Sequence, residues 1–439
     1  MPAAAKEWVA TWTASMQAPF AAHGPSALIA PGSFQLDTYF PQPDTIRLAL
    51  ANNKAEDQTF RMMVRPDIWS DSIRIRFSNT FGTKELKLGA AAVGLQEYAA
   101  NIVPGTNAKI TFNGGHSTAS VSAGQSMFSD PISLPYVSDA TKKLLRGRNL
   151  AVSFSIDGAI GSLSYHDTAF ATSYIGKPHS GNHAEDENGG AFPFATDSWF
   201  VVDEVDAMAP TGTAVVCAFG DSITDGTYST LNGNDRWPDA LARRIHEAYG
   251  DRVSVVNEAI TGNAVTLEAV GRPATERLDR DVLSVSGLTS VIWLEGINDL
   301  ASNQNDPQPV IAGYKVINDR LRKAGIIVIA ATLTPSYRAN QDFTTSPLGT
   351  EFGPRYGGPK IDESRKALNA FIRMSGTFDQ VADTEAAVME PATGTMRAEF
   401  VPQSASGPGD SLHPNRAGYE AMAGAIDLTM LAPGYRPKK

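Results

Sequence analysis

Cysteine is nearly absent from this chain of 439 residues. The single Cys217 cannot close an internal disulfide, which excludes both a disulfide scaffold and a cysteine-based zinc site. Long apolar runs are missing too. The longest, such as Gly325 to Thr332, fall far short of the roughly 20 residues that a membrane-spanning helix requires. Positive charge is scarce: Lys and Arg number 37 against 47 Asp and Glu, a net charge of −10. The one basic cluster is the tail Arg436-Pro437-Lys438-Lys439. An acidic chain without a basic stripe is poorly suited to nucleic acid or to an anionic membrane surface, and neither is expected as a partner. The first residues, Met-Pro-Ala-Ala-Ala-Lys-Glu-Trp, lack a basic segment followed by an apolar one. Either the protein stays inside the cell, or it is secreted or periplasmic and the sequence begins after a removed signal; the compartment is left open.

What is present is the balance of a globular protein. Apolar residues make up 42% and charged residues 19%, the latter against about 25% in typical domains. That is enough apolar surface to bury a sizeable core and to exclude wholesale disorder. At about 150 residues per domain, the length suggests two or three domains. The 38 Gly and 27 Pro favour many turns.

The chain has two halves of different period. From Thr45 to about Ala209 the pattern is strand-like: Ser72-Ile73-Arg74-Ile75-Arg76-Phe77-Ser78 alternates with period two, and Leu86 to Val93, Ala108 to Phe112 and Asn149 to Ile156 are short runs of the same kind. Gly, Asn and Pro separate them, as in a β-sandwich or jelly roll. A short helix fits Asp139 to Leu145, and the polar stretch His179 to Gly190 reads as a loop. After Pro210 the period changes. Ala214 to Phe219 is a continuous apolar run, as in a strand buried on both faces. Trp237, Leu241, Ile245 and Ala248 then recur at helical spacing. Val253 to Val256, Ser290 to Leu294 and Gly325 to Leu333 are further apolar runs, and helical stretches are expected around Leu267 to Leu283, Val310 to Lys323, Glu363 to Met374 and Asn415 to Leu431. Strand–helix alternation predicts a parallel sheet in an α/β unit. The reading is therefore a β-sandwich-like domain at 1–209 and an α/β domain at 210–439, with the boundary near Met208 to Gly212.

In such sheets functional groups gather beyond the C-terminal ends of the strands. After the first strand stands Gly220-Asp221-Ser222-Ile223-Thr224-Asp225-Gly226, which can hold a serine in a tight turn. It is not the Gly-x-Ser-x-Gly elbow, which disfavours the α/β-hydrolase fold. After the second come Asn257-Glu258-Ala259-Ile260-Thr261-Gly262-Asn263, where Gly262 can present a backbone N–H. After the third comes Glu295-Gly296-Ile297-Asn298-Asp299, in which the Asn298 amide is a suitable oxyanion donor, although the block alone reads more readily as a helix cap. Near the C-terminus stands Asp410-Ser411-Leu412-His413-Pro414-Asn415. Pro414 fits the first turn of the last helix, which would put His413 at its cap, within reach of Asp410. Each block alone is more readily a turn or a cap.

Taken together and in this order, the blocks Gly220-Asp221-Ser222-Ile223, Gly262, Gly296-Ile297-Asn298-Asp299 and Asp410-Ser411-Leu412-His413 resemble the SGNH hydrolases, also called GDSL esterases. The fourth residue of the first block is Ile where the family name has Leu. The resemblance covers about Thr213 to Leu431. It implies a flavodoxin-like α/β/α domain and a serine esterase. Ser222 would be the nucleophile, His413 the base and then the acid, and Asp410 its orienting partner. The backbone N–H groups of Ser222 and Gly262 and the side chain of Asn298 would hold the oxyanion. No metal or cofactor is implied. The first half resembles the extra β domain of a subgroup of that family through Trp8-Val9-Ala10-Thr11-Trp12, Arg74 to Gly82 and Gly89-Ala90-Ala91. Asn234-Asp235-Arg236-Trp237-Pro238 and Arg365-Lys366-Ala367-Leu368-Asn369 resemble the same subgroup. Some of its members are similar to esterases of xylan-degrading systems, which points to short acyl groups on carbohydrates. Broad action on aryl or lipid esters is the alternative, although no amphipathic lid is evident. A glycan-binding module with a decayed catalytic half is the alternative outside enzymes.

Other residues carry less. His179, His183, Glu185 and Asp186 have ligand-like spacing but lie in a polar loop with no rigid support. His166 reads as a packed or surface residue, His246 as solvent-facing, Trp237 and Trp293 as core. Asp221 and Asp299 read as stabilisers of their turns, and Cys217 as an inert buried thiol. Neither the sequence nor the resemblance specifies an oligomeric state.

Overall fold

The computed structural model describes residues 5–18, 54–302, 306–337, 356–404 and 407–435. The start of the strand-like region at Thr45 and the basic tail from Arg436 lie outside these residues. The chain divides into two compact units, Met1–Thr211 and Gly212–Lys439.

The first unit is antiparallel. One sheet pairs Lys6–Thr13 with Val202–Pro210, then Ser72–Ser78, whose far edge takes Ser126–Phe128 and Ile132–Ser133. The second runs Phe194–Thr196, Ser173–Ile175, Lys54–Val64, Leu150–Ser162, Leu86–Leu95 and Ala108–Ile110, with Ala119–Val121 also on Leu86–Leu95. The alternation in Ser72–Ser78 sends Ile73, Ile75 and Phe77 inward. Phe77 meets Phe154 of the other sheet edge-to-face, ring centroids 5.8 Å apart, and Phe154 stacks on Phe60 at 5.3 Å. Aromatic pairs across the layer make this a sandwich. The expected helix at Asp139 to Leu145 is the single turn Lys142–Leu145.

The second unit is built on five parallel strands, β1 (Ala214–Gly220), β2 (Val253–Ala259), β3 (Leu288–Leu294), β4 (Ile327–Ala331) and β5 (Gln380–Ala382), in the order β2-β1-β3-β4-β5. This is the doubly wound order of the flavodoxin-like sheets. The helices are α1 (Ser222–Asp225), α2 (Trp237–Tyr249), α3 (Ala274–Leu278), α4 (Ile297–Ser302), α5 (Gln308–Lys323), α6 (Pro359–Met374), α7 (Thr384–Val388) and α8 (Arg416–Gly424). β1 is buried on both faces because alternate residues meet different layers. Ala214, Val216 and Ala218 join Trp237, Leu241 and Ile245 of α2 and Tyr419, Met422 and Ala423 of α8 in one core. Phe219 points the other way, to Trp293 of β3, which meets Tyr314 of α5. Burying each such side chain contributes about 1.5–3 kcal/mol, so the sheet is a rigid support for its C-terminal edge.

Four expectations are corrected. The helix around Leu267 to Leu283 is the short α3, continued by a wider turn at Asp279–Leu283. Gly271, in the left-handed region at φ +70°, and Pro273 at the cap prevent an earlier start. The last helix ends at Gly424 rather than near Leu431, which lies in a separate turn. Its cap is Asn415, whose side chain accepts from Gly418 N at 3.1 Å, so Pro414 precedes the helix instead of opening it. Finally, the His246 side chain is only 11% exposed, with Nδ1 3.0 Å from the carbonyl of Gly250. It sits in the last turn of α2, where unpaired carbonyls attract a ring N–H.

Candidate active site

β1 ends at Gly220, and a side chain there is impossible without rearrangement: a Cβ would lie 2.2 Å from the carbonyl oxygen of Leu294 on β3. That close approach lets the chain turn directly into α1. Asp221 caps the turn, its Oδ1 accepting from Ile223 N at 3.1 Å. Ser222 is then the first residue of α1, 6% exposed. Its Oγ lies 2.7 Å from His413 Nε2.

His413 is held by a tight loop. Ser411 adopts the left-handed region at φ +56°. The turn lets Asp410 Oδ1 accept from Leu412 N and His413 N, both at 2.9 Å, while Oδ2 lies 2.5 Å from His413 Nδ1. Burial alone would raise the Asp410 carboxyl. The charge of His413 and the bonds from its ring, its backbone N–H and that of Leu412 outweigh burial and hold Asp410 below the ordinary aspartate value. An ionised carboxylate only accepts, so Nδ1 carries the imidazole proton and Nε2 is left to accept from the Ser222 hydroxyl. Such an arrangement can draw off a hydroxyl proton as the oxygen attacks an electrophile.

Two further loops reach the same edge. Gly262 follows β2 at φ +79°. The backbone N–H groups of Ser222 and Gly262 have no hydrogen-bond partner among the described residues. Asn298, in the first turn of α4, is 7% exposed and donates from Nδ2 to the carbonyl of Asn263 at 2.7 Å. Asp299 accepts from Val265 N at 2.8 Å and from Thr266 N at 2.9 Å, which fastens the loop after β2 to α4.

Among the described residues no group of three or more His, Cys, Asp or Glu is arranged to hold a metal ion. His183 instead pairs with Asp186 at 2.8 Å, and Glu185 with Lys109 at 2.9 Å. His166 is buried against Trp199, with Nδ1 3.0 Å from the Ser15 carbonyl. Cys217, Trp237 and Trp293 are buried. No helix among the described residues is long and apolar enough to cross a membrane.

Residues 218–421 match the model of the GDSL-like lipase/acylhydrolase family. The second unit is a GDSL-type serine ester hydrolase domain. Solved structures similar to it include a carbohydrate acetylesterase family member from Sinorhizobium meliloti, 16% identical, covering 51% of this chain and 100% of that one with a TM-score of 0.38. Others are the lipase/acylhydrolase from Enterococcus faecalis (21% identical, 48% and 93% covered, TM-score 0.34) and a GDSL-like lipase from Bacteroides thetaiotaomicron (17% identical, 49% and 86% covered, TM-score 0.35). No curated protein matches the chain.

The GDSL domain also contains groups around these loops that sequence reading passed over. Arg277 of α3 is fully buried and donates to Asn263 Oδ1 at 2.7 Å, to the Glu258 carbonyl at 2.7 Å and to the Gly220 carbonyl at 3.0 Å. Asp225 Oδ2 accepts from Thr261 N and Oγ1, both at 2.7 Å, tying α1 to the loop after β2. Glu295, at the end of β3, accepts from Trp293 Nε1 at 2.9 Å. Its burial pushes the carboxyl up to about 7, against the opposing pull of Arg277. Burial and then the charge of Glu295 raise Asp221 well above the usual aspartate range. Tyr228, itself at φ +65°, places its ring 5.9 Å from that of His413. Only the acidic side chains stood within the motif blocks; nothing local marks Arg277 or Tyr228.

Proposed function

We propose that Ser222, His413 and Asp410 form the catalytic triad of this ester hydrolase and that the chain comprises two domains, 1–209 and 210–439. The observation that carries the first part is the continuous chain of contacts from Ser222 Oγ through the imidazole to Asp410, at 2.7 and 2.5 Å. In this reading Ser222 Oγ attacks the ester carbonyl carbon while His413 Nε2 takes its proton. The carbonyl oxygen becomes an oxyanion and accepts from the N–H groups of Ser222 and Gly262 and from Asn298 Nδ2. His413 returns the proton to the departing alkoxide, and an acyl-Ser222 ester remains. A water molecule, deprotonated by His413, then attacks that ester and releases the acid and the free serine. Asp410 stays ionised throughout and stabilises the imidazolium.

The substrate is an ester of a short acyl group, acetyl in the first instance, on a carbohydrate. The resemblance of the first half to the extra β domain of a family subgroup, some of whose members are similar to esterases of xylan-degrading systems, supports this. A panel of acetylated xylan, acetylated sugars and p-nitrophenyl esters of increasing chain length tests the reading. The expected result is highest kcat/KM on acetyl esters, with acetate released from the polysaccharide. Preference for long acyl chains, or no release from carbohydrate, overturns it. Labelling of Ser222 by an organophosphonate tests the nucleophile separately.

A further inference from the structure

Asn298 has two contacts, and together they determine how its amide lies. Nδ2 donates to the carbonyl of Asn263 at 2.7 Å, and Oδ1 accepts from the hydroxyl of Tyr356 at 3.0 Å. A backbone carbonyl can only accept, so the reverse amide orientation would set two oxygens against each other. With one amide hydrogen on Asn263, the second has no partner among the described residues. Tyr356 also packs on the apolar cluster of Ile297, Ile361 and Leu412. Ile297 adjoins Asn298 and Leu412 adjoins His413 in the chain. Tyr356 thus bonds the amide and packs on a cluster that includes a chain neighbour of Asn298 and one of His413.

We propose that Tyr356 is a positioning residue for the oxyanion site: its hydroxyl holds the Asn298 amide in place and polarises it. Hydrogen bonds in a chain strengthen one another, because a donor on the amide oxygen withdraws electron density and makes the N–H a better donor. The gain appears where charge develops, on the oxyanion, and not on the neutral substrate. The inference rests on the reading of Asn298 as an oxyanion donor.

Steady-state kinetics on p-nitrophenyl acetate for Tyr356→Phe, Asn298→Ala and the double variant test it, with the unfolding midpoint of each. Phenylalanine keeps the ring on its apolar cluster and removes only the hydroxyl. The expected result for Tyr356→Phe is a kcat lower by about 5- to 30-fold with KM within about twofold and an unchanged midpoint. In the Asn298→Ala background the same substitution should change kcat by less than about twofold, because the amide through which it acts is gone. An equal loss in both backgrounds, or a loss matched by a lowered midpoint, overturns the proposal, since the hydroxyl would then act elsewhere or only on stability. A normal Tyr356→Phe beside a crippled Asn298→Ala also overturns it and leaves the role of Asn298 standing. A normal Asn298→Ala removes the underlying reading itself.

Discussion

Arg277 donates from Nη2 to the carbonyl oxygen of Gly220, 3.0 Å away, at the point where β1 turns into the Ser222 block. Its other nitrogens reach Asn263 Oδ1 and the Glu258 carbonyl, so one fully buried guanidinium ties the end of β1 to the end of β2 and the loop that follows it. Asp281 at 3.2 Å supplies opposing charge, the Glu295 carboxyl lies 3.7 Å away, and the face of Phe219 covers the group at 4.2 Å. Asp281 keeps Arg280 as a partner when Arg277 is removed, but Asn263 Oδ1 and the Glu258 and Gly220 carbonyls each lose a charged donor in the interior, and a buried acceptor left short typically costs about 1–3 kcal/mol. Arg277→Met should therefore lower the unfolding midpoint by many degrees and cripple activity with it, whereas the exposed Arg272→Met should do neither. Chemical denaturation decides. A loss under about 1 kcal/mol would show that the clamp is dispensable.

Ser222→Ala removes a hydroxyl whose contact in the fold is the His413 ring. Ester hydrolysis should disappear, and the unfolding midpoint should stay within about a degree or two, because no apolar packing is lost. Turnover within tenfold of the parent protein, at an unchanged midpoint, would contradict the assignment of Ser222.

Glu295 makes stability depend on pH in a defined direction. In the folded state its carboxyl holds a proton up to about pH 7, whereas an unfolded glutamate releases it near 4.5. Between those values the folded state binds more protons, so stability falls as pH rises. Below 4.5 both states are protonated and no cost arises; above about 7 the full cost, roughly 3 kcal/mol, has been incurred. Glu295→Gln keeps an oxygen for Trp293 Nε1 and cannot ionise. The fall of its unfolding midpoint from pH 5 to 7.5 should therefore be shallower than that of the parent. Parallel curves for the two proteins would show that Glu295 is ionised throughout.

The chain reveals some of this and conceals the rest for physical reasons. Strand β1 and helix α2 are legible because burial on one or both faces imposes a run or a period on neighbouring residues. The blocks holding Ser222, Gly262 and Asn298 are legible because strand ends announce where a parallel sheet opens its edge. Asp410 and His413 lie three residues apart, and one turn suffices to join them. Arg277 and Tyr356 act over 57 and 58 residues, on the Gly220 carbonyl and the Asn298 amide, and no periodicity records such a contact. β5 is only three residues long, too short to show a period. The helix expected from Leu267 failed at Gly271 and Pro273, whose backbone restrictions outweighed a weak apolar pattern.

The Asp410→Asn variant separates orientation from mere presence. Asp410 Oδ1 accepts two backbone N–H groups, those of Leu412 and His413, at 2.9 Å each. An asparagine must keep its oxygen on those two donors, since an amide NH₂ there would face them donor to donor. Its NH₂ is then directed at His413 Nδ1, which can accept only as the other tautomer, with the proton on Nε2. That proton points at Ser222 Oγ, and the imidazole can no longer take the hydroxyl proton. The backbone itself thus locks in the wrong tautomer. Turnover should fall by about 10²–10⁴-fold, with KM little changed and a small loss of stability. Asp410→Ala removes the lock, leaves the imidazole free to choose its tautomer, and should lose Leu412 and His413 as anchored donors. It is expected to be less stable than Asp410→Asn, yet no slower in the chemical step. Measuring kcat, KM and the unfolding midpoint for both variants decides the matter. If Asp410→Asn keeps kcat within tenfold of the parent, Asp410 does not set the tautomer of His413, and its role is confined to capping the loop.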